Sequence, residues 1–187
     1  MGRIVVTEFI SLDGVVEDPA GAEGFRHGGW SFEVSRGEEG DRFKLDETFA
    51  SEALLIGRKT YEGFAAAWPQ RDGEFADKFN TMPKYVVSST LEAPEWNNTT
   101  VVGADPVAAA ERLKREIDGD IVVHGSPSVV RALLEAGQVD ELRLMVSPVV
   151  LGDGERLWGS LSDKRTLRLA DSRTVGDGVS ILVYQPA

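Results

Sequence analysis

Cysteine is absent from the chain, which excludes disulfides, thiolate zinc sites and cysteine nucleophiles. Histidine is nearly absent: His27 and His124 are the only two, so a histidine-based metal site is not expected. No apolar run approaches the roughly 20 residues that a membrane helix needs. The opening MGRIVVTEFISLDG lacks the basic lead and small-residue cleavage site of a signal peptide. A soluble, cytoplasmic protein with no membrane partner is expected. Positive charge is in deficit as well, with 20 Lys and Arg against 31 Asp and Glu and a formal net charge of -11. Such a surface repels phosphate backbones, which argues against a nucleic-acid partner. One phosphorylated small molecule remains compatible, because backbone N–H groups and one or two cations can meet its few charges. Neither a GxGxxG fingerprint nor a Walker lysine motif occurs.

With 187 residues, 42% of them hydrophobic, and neither repeat nor linker, the chain reads as one domain over 1–187. Arg3 to Ile10 alternates and is β-branched, as a strand ending at the Asp13-Gly14 turn would be. Residues 17–40 are rich in Gly, charge and aromatics without periodicity, which suits a long binding loop. A helix is expected to open at Asp41 and carry Leu45 and Phe49 inward. A strand over Ala53 to Ile56 then runs into Gly57, and Tyr61, Phe64, Ala65 and Trp68 recur at helical spacing. Strands follow at Tyr85 to Ser88 and Thr100 to Val102. Asp105-Pro106 and Ser126-Pro127 each supply a cap and a first-turn proline to a helix. Between those helices Ile121 to His124 forms a strand, and Glu141 to Ser147 forms another. The chain closes with a hairpin about Gly176-Asp177-Gly178. The alternation implies a mostly parallel eight-stranded α/β sheet covered on both faces, with the antiparallel hairpin at one side.

Ligands of open α/β sheets bind beyond the carboxyl ends of the strands. Three such ends carry suitable chemistry. At the first, Gly57 opens a helix whose free N–H groups stand beside Arg58, Lys59 and Thr60, a combination suited to phosphate. The same residues could be a basic first turn facing water. At the second, Ser88, Ser89 and Thr90 could donate to phosphate or ribose oxygens, or cap their own turn. At the third, Gly125 allows close approach to a ligand, and the helix begun by Pro127 points its positive end there. His124 fits a packed strand residue better than a ligand.

In order and spacing these segments resemble the dihydrofolate reductase superfamily. The residues that carry the resemblance are SLDGV at Ser11 to Val15, LLIGRKTYE at Leu54 to Glu62 and VVSSTL at Val86 to Leu91. IVVHGSPSVVRALLEAGQVDELRL from Ile121 to Leu144 and PVVLGDGERLW from Pro148 to Trp158 complete it. The last two are most similar to the reductase, C-terminal domain of the bifunctional riboflavin biosynthesis deaminase-reductase. The resemblance implies a dihydrofolate reductase-like three-layer α/β/α domain that binds NADPH. Its implied activity is an NADPH-dependent oxidoreductase acting on a small heterocycle, most like 5-amino-6-(5-phosphoribosylamino)uracil reductase. Dihydrofolate reduction, or nucleotide binding without catalysis, are the alternatives.

By the family pattern Gly57, Arg58, Lys59 and Thr60 would hold the pyrophosphate and 2′-phosphate side. Ser88, Ser89 and Thr90 would meet the adenosine end, and Gly125, Ser126, Ser128 and Val129 the diphosphate. Asp13, Gly14 and Val15 would flank the nicotinamide. Asp41 matches the family's catalytic acid, although it could equally be a helix cap. Trp30, Phe32 and Leu45 would line the substrate side. One departure is Gly125-Ser126, where the family often has paired glycines. No metal is implied and no deaminase zinc motif is present, so a stand-alone reductase domain is expected. A homodimer is implied by resemblance to this branch.

Overall fold

Alternation along β1 (Arg3–Ser11) sends Ile4 and Val6 to one face of a sheet and Val5 to the other, and all three are fully buried. A strand buried on both faces belongs at the centre of a parallel sheet. The computed structural model describes residues 1–159 and 161–187. It joins β1 with β2 (Ser51–Gly57), β3 (Lys84–Val87), β4 (Thr99–Val101), β5 (Asp120–Val123), β6 (Val139–Ser147), β7 (Leu167–Val175) and β8 (Val179–Pro186). The eight strands take the order β4-β3-β2-β5-β1-β6-β8-β7. Pairing is parallel from β4 through β6, while β8 runs antiparallel to β6 and β7 antiparallel to β8.

Helices cover both faces. Helices α1 (Gly37–Ala50), α2 (Arg58–Ala67) and α3 (Glu74–Thr81) lie on the Val5 face, and α4 (Pro106–Glu116) and α5 (Pro127–Glu135) lie on the Ile4 and Val6 face. The expected three-layer α/β/α architecture is present, with its antiparallel strands at one side. Asp105 caps α4 as its sequence suggests, its carboxylate accepting from the amides of Val107 at 2.9 Å and Ala108 at 3.1 Å. Ser126 does not cap α5 with its side chain. The hydroxyl turns instead toward Thr60, 3.5 Å away.

Three local expectations need correction. Helix α1 begins at Gly37, so Asp41 lies within it and Arg36 occupies the cap position. Helix α3 was not expected; Phe75, Ala76 and Phe79 do share one face at helical spacing, but over only eight residues, just over two turns. The inward face of α1 carries Lys44, Glu47 and Thr48, while Phe49 is exposed and Leu45 only partly covered. The reason is electrostatic. Lys44 Nζ donates to Thr7 Oγ1 at 2.9 Å and pairs with Glu47, to which Thr7 donates at 2.9 Å. Arg143 reaches the other Glu47 oxygen at 3.5 Å and also meets Glu141 and Asp120. Burial opposes the charge on Glu47, but Lys44 and the surrounding donors outweigh it and hold its carboxyl below the usual value.

The hairpin puts β7 at the sheet edge, with Arg168, Asp171 and Arg173 exposed along it and a register shift between Leu169 and Asp171. At the opposite edge β4 is three residues long.

Removing one partner of the buried α1 pair leaves the other charge uncompensated. Glu47→Leu is therefore expected to cost about 3 kcal/mol or more in chemical denaturation. The double variant Lys44→Met/Glu47→Leu should recover more than half of that loss. Equal stability of the single and double variants would contradict the account.

Candidate functional site

The site is built where β2 and β5 end side by side. Strand β2 passes directly into α2 at Gly57, and β5 passes through His124, Gly125 and Ser126 into α5. The Gly57 amide donates to the Gly125 carbonyl at 3.1 Å, drawing the two helix starts together. A Cβ at Gly57 would lie 2.3 Å from Ser126 Oγ and 3.0 Å from Ser126 Cβ, so any other residue at this crossing would have to displace Ser126. Gly125 has φ of +108° and is joined to Ser126 by a cis peptide bond. Ser126 itself has φ of -68°, an ordinary value, so its backbone does not need the second glycine of the family pattern.

Between these helix starts runs a groove of about 550 Å³. Gly57, Arg58 and Lys59 line it from α2, and Ser126, Ser128 and Val129 from α5. Pro106 at the start of α4 and Glu155 of the loop after β6 complete the walls. Two helix N-termini and two cations therefore face one space, which favours an anion with several negative oxygens. Thr60 stands beside it. The second hydroxyl cluster joins through Arg58, which donates to Thr90 Oγ1 and, through Nε, to Glu62 at 2.7 Å. Ser89 is exposed next to Thr90. Ser88 is buried, and its hydroxyl accepts from the amides of Thr90 and Leu91 at 3.1 and 3.0 Å, so it caps the turn. Lys59 is bonded to Glu23 at 2.8 Å, which raises its pKa and keeps it cationic.

The Asp13-Gly14-Val15 turn stands across the strand ends as a clamp. Asp13 accepts from the Ser11 hydroxyl at 2.7 Å and from the amides of Leu151 at 3.1 Å and Gly152 at 2.8 Å. These donors, Ser11 foremost, hold its carboxyl down at about 2. Gly14 has φ of +83°, and buried Val15 bridges to Arg156. The clamp positions the loop that carries Glu155.

The substrate-side expectations fare differently. Trp30 is fully buried and its indole donates to the Glu17 carbonyl at 2.8 Å, so it anchors the loop. Phe32 is 66% exposed and Leu45 is partly covered. Asp41 is exposed and bonded to Arg36 at 2.6 Å, without the apolar enclosure that would suit a proton donor. His124 packs between the rings of Phe64 and Phe79, and burial first, with Lys44 second, pulls its pKa down to about 3.

The enclosed acid is Glu8, which the sequence reading overlooked. Its Oε1 is buried without a hydrogen-bond partner. Burial pushes its pKa up to about 8, aided by Glu155 and opposed by Lys44. A Cβ built on Gly125 would lie 3.0 Å from Thr60 Oγ1 and 3.5 Å from Glu8 Oε1. Alternation was the available signal: Glu8 shares a sheet face with Val6 and Ile10, both core residues.

Comparison with known proteins places this geometry. The model of the RibD C-terminal domain matches residues 3–181. The chain belongs to the RibD C-terminal domain family. Within that family's fold, a Shewanella sp. PV-4 protein named for riboflavin biosynthesis superposes with a TM-score of 0.80 at 21% identity, covering 99% of both chains. The Thermotoga maritima diaminohydroxyphosphoribosylaminopyrimidine deaminase/5-amino-6-(5-phosphoribosylamino)uracil reductase gives a TM-score of 0.65 at 15% identity, over all of this chain and 57% of that one. In sequence, the uncharacterized Bacillus subtilis (strain 168) protein YyaP is 26% identical over 187 residues, covering 97% of this chain and 94% of its own. These likenesses show that the RibD C-terminal fold spans the described chain.

Two expectations follow. Gly57→Ala should displace Ser126 and cost about 1–3 kcal/mol. Gly63→Ala, whose Cβ would meet nothing within 4 Å in α2, should be neutral or stabilising. Equal thermal shifts for the two variants would contradict the crossing. The second concerns Glu8, whose carboxyl returns to 4.5 on unfolding from about 8 in the fold. The native state then holds the extra proton between those values, and stability from this group falls as pH rises through that window. Thermal melts across the window should show Glu8→Gln gaining steadily on the wild type. Parallel pH profiles would rule out the raised pKa.

Proposed function

We propose that the chain is an NADPH-dependent reductase of a small heterocyclic substrate, most like the aminopyrimidine reductase of riboflavin biosynthesis. The observation that carries the reading is the convergence of the α2 and α5 N-termini, with Arg58 and Lys59, on one groove at the ends of β2 and β5. Membership of the RibD C-terminal domain family supports a reductase. The donors suit a dinucleotide's phosphates: Gly57 lets Ser126 draw up against the start of α2, the bare side of Gly125 faces Thr60 Oγ1, and Glu8 Oε1 lies nearby without a partner.

The first-turn amides of α2 and α5, with the Thr60, Ser126 and Ser128 hydroxyls, would hold the diphosphate. Arg58, steadied by Glu62 and Thr90, would meet the 2′-phosphate with charge-assisted hydrogen bonds. When bound, the reduced nicotinamide supplies a hydride for a C=N or C=O carbon. The clamp formed by Asp13, Leu151 and Gly152 would hold the far wall and exclude water there. Exposure of Asp41 weakens the dihydrofolate reductase alternative, which relies on an enclosed acid at that position.

Calorimetry or tryptophan quenching tests the cofactor. NADPH should bind at least tenfold more tightly than NADH. Arg58→Gln should raise the NADPH Kd about tenfold, equivalent to about 1.4 kcal/mol, and leave NADH within twofold. Absence of binding by either dinucleotide at millimolar concentration would overturn the reading. Oxidation of NADPH in the presence of a phosphoribosylaminopyrimidine, but not of dihydrofolate, tests the substrate class.

A further inference from the structure

Among the described residues, Glu8 stands out as an acid whose Oε1 is enclosed and unpaired, beside Gly125 and next to the groove rather than among its lining residues. It projects from the carboxyl half of β1 on the face shared with Val6 and Ile10, toward the crossing of β5 and α5. The bare side of Gly125 lies between Glu8 Oε1 and Thr60 Oγ1, at 3.5 and 3.0 Å from the position of an added Cβ. The residue as a whole is only partly covered, although Oε1 is enclosed.

The groove and its floor offer amide N–H groups, hydroxyls, two cations and the carboxylate of Glu155. An ionised Glu8 would place a second anion beside a site otherwise suited to phosphate. A neutral carboxyl instead adds one more donor, and that donor has no acceptor among the described residues. An unmatched buried polar group costs free energy until a partner arrives.

We propose that Glu8 serves the site as a neutral carboxylic acid and donates its proton, in a hydrogen bond, to an acceptor oxygen of the bound dinucleotide. The inference rests on the dinucleotide reading above and adds to it a binding residue on β1. The groups that set its protonation come from several elements. Burial dominates, Lys44 of α1 favours the charged form, and Glu155 of the loop after β6 opposes it. Helix α2 contributes the neutral Thr60 hydroxyl, and His124, which follows β5, is itself held uncharged by burial and adds no charge nearby. Burial and Glu155 prevail over Lys44 and push the carboxyl up to about 8, which favours the protonated form at neutral pH.

The consequence is a proton requirement for binding. If only the protonated form binds, apparent affinity scales with the protonated fraction and falls about thirtyfold between pH 7 and 9.5. Calorimetry with NADP+, which involves no turnover, measures this directly. Repeating it at pH 9 in buffers of different ionisation enthalpy should reveal uptake of nearly one proton per ligand bound. Glu8→Gln keeps an N–H donor at the same place but cannot ionise, so its affinity, whatever its value at pH 7, should remain level to pH 9.5. Lys84, the other group that burial brings to about 8, lies under α3 and is bonded to the carbonyls of Asn80, Met82 and Asn97. Its titration would persist in the variant, so the variant separates the two.

Binding by 2′-phospho-ADP-ribose with the same pH slope would assign the acceptor to the diphosphate side. Loss of the slope with that ligand would assign it to the nicotinamide carboxamide, and either result supports a protonated Glu8. Level wild-type affinity without proton uptake, or an unchanged slope in Glu8→Gln, would overturn the proposal and leave the cofactor reading standing. Failure of NADP+ to bind at any pH would remove both. Absence of proton uptake by the wild type overturns the proposal even where the variant folds poorly.

Discussion

Two parallel strands end in contact at Gly57 and Gly125, and the absence of a side chain at Gly57 makes that approach feasible. Parallel pairing brings both strands to the same edge of the sheet, and each is followed closely by a helix on an opposite face. The helices therefore diverge from nearly one point, with their unpaired amides aimed into the space between them. Ser126 contributes by leaving its capping role and turning toward Thr60. The arrangement concentrates partial positive charge in a protein whose surface is strongly acidic. A small groove can hold an anion that the molecule as a whole repels.

The acidic residues are used with discrimination. Asp13 is saturated with donors and remains charged far below neutral pH, as suits a clamp between two loops. Glu47 is buried but surrounded by Lys44, Arg143 and Thr7, and it too stays charged. Glu8 feels Lys44 as well, but its enclosed Oε1 has no hydrogen-bond donor, and burial pushes its carboxyl up to about 8. Three carboxyls close to the same strand ends thus differ in state because their immediate partners differ. Asp41, placed where an enclosed acid was expected, meets water and Arg36.

Much of the architecture was readable from local pattern. The β-branched runs of β1, β2, β5 and β6 and the cap-plus-proline start of α4 identify themselves within a few residues. The groove residues from Gly57 to Lys59 and from Ser126 to Val129 were legible as strand-to-helix junctions, although the first read equally well as a basic turn facing water. Helix α1 was harder to read. Glycines at 37 and 40 obscure its start, and its inward charges are explained only by Thr7 and Arg143, which lie far away in the sequence. Glu8 illustrates the same limit. Alternation puts it on a core face, but its lack of a partner depends on what β5, α2 and the loop after β6 bring to it. The roles of Trp30 and Phe32 also depended on tertiary placement, since one is wholly enclosed and the other largely bare.

The two borders of the sheet carry a different kind of information. A strand with open amides and carbonyls invites another chain to continue the ladder. Here β4 offers only three residues, too short a template, and β7 interrupts its nine-residue length with a register shift and the charges of Arg168, Asp171 and Arg173. An incoming strand would have to accommodate both signs of charge on a locally twisted rail. Sheet growth is thereby discouraged at both margins of an eight-stranded sheet, the geometry that works against fibrillar self-association.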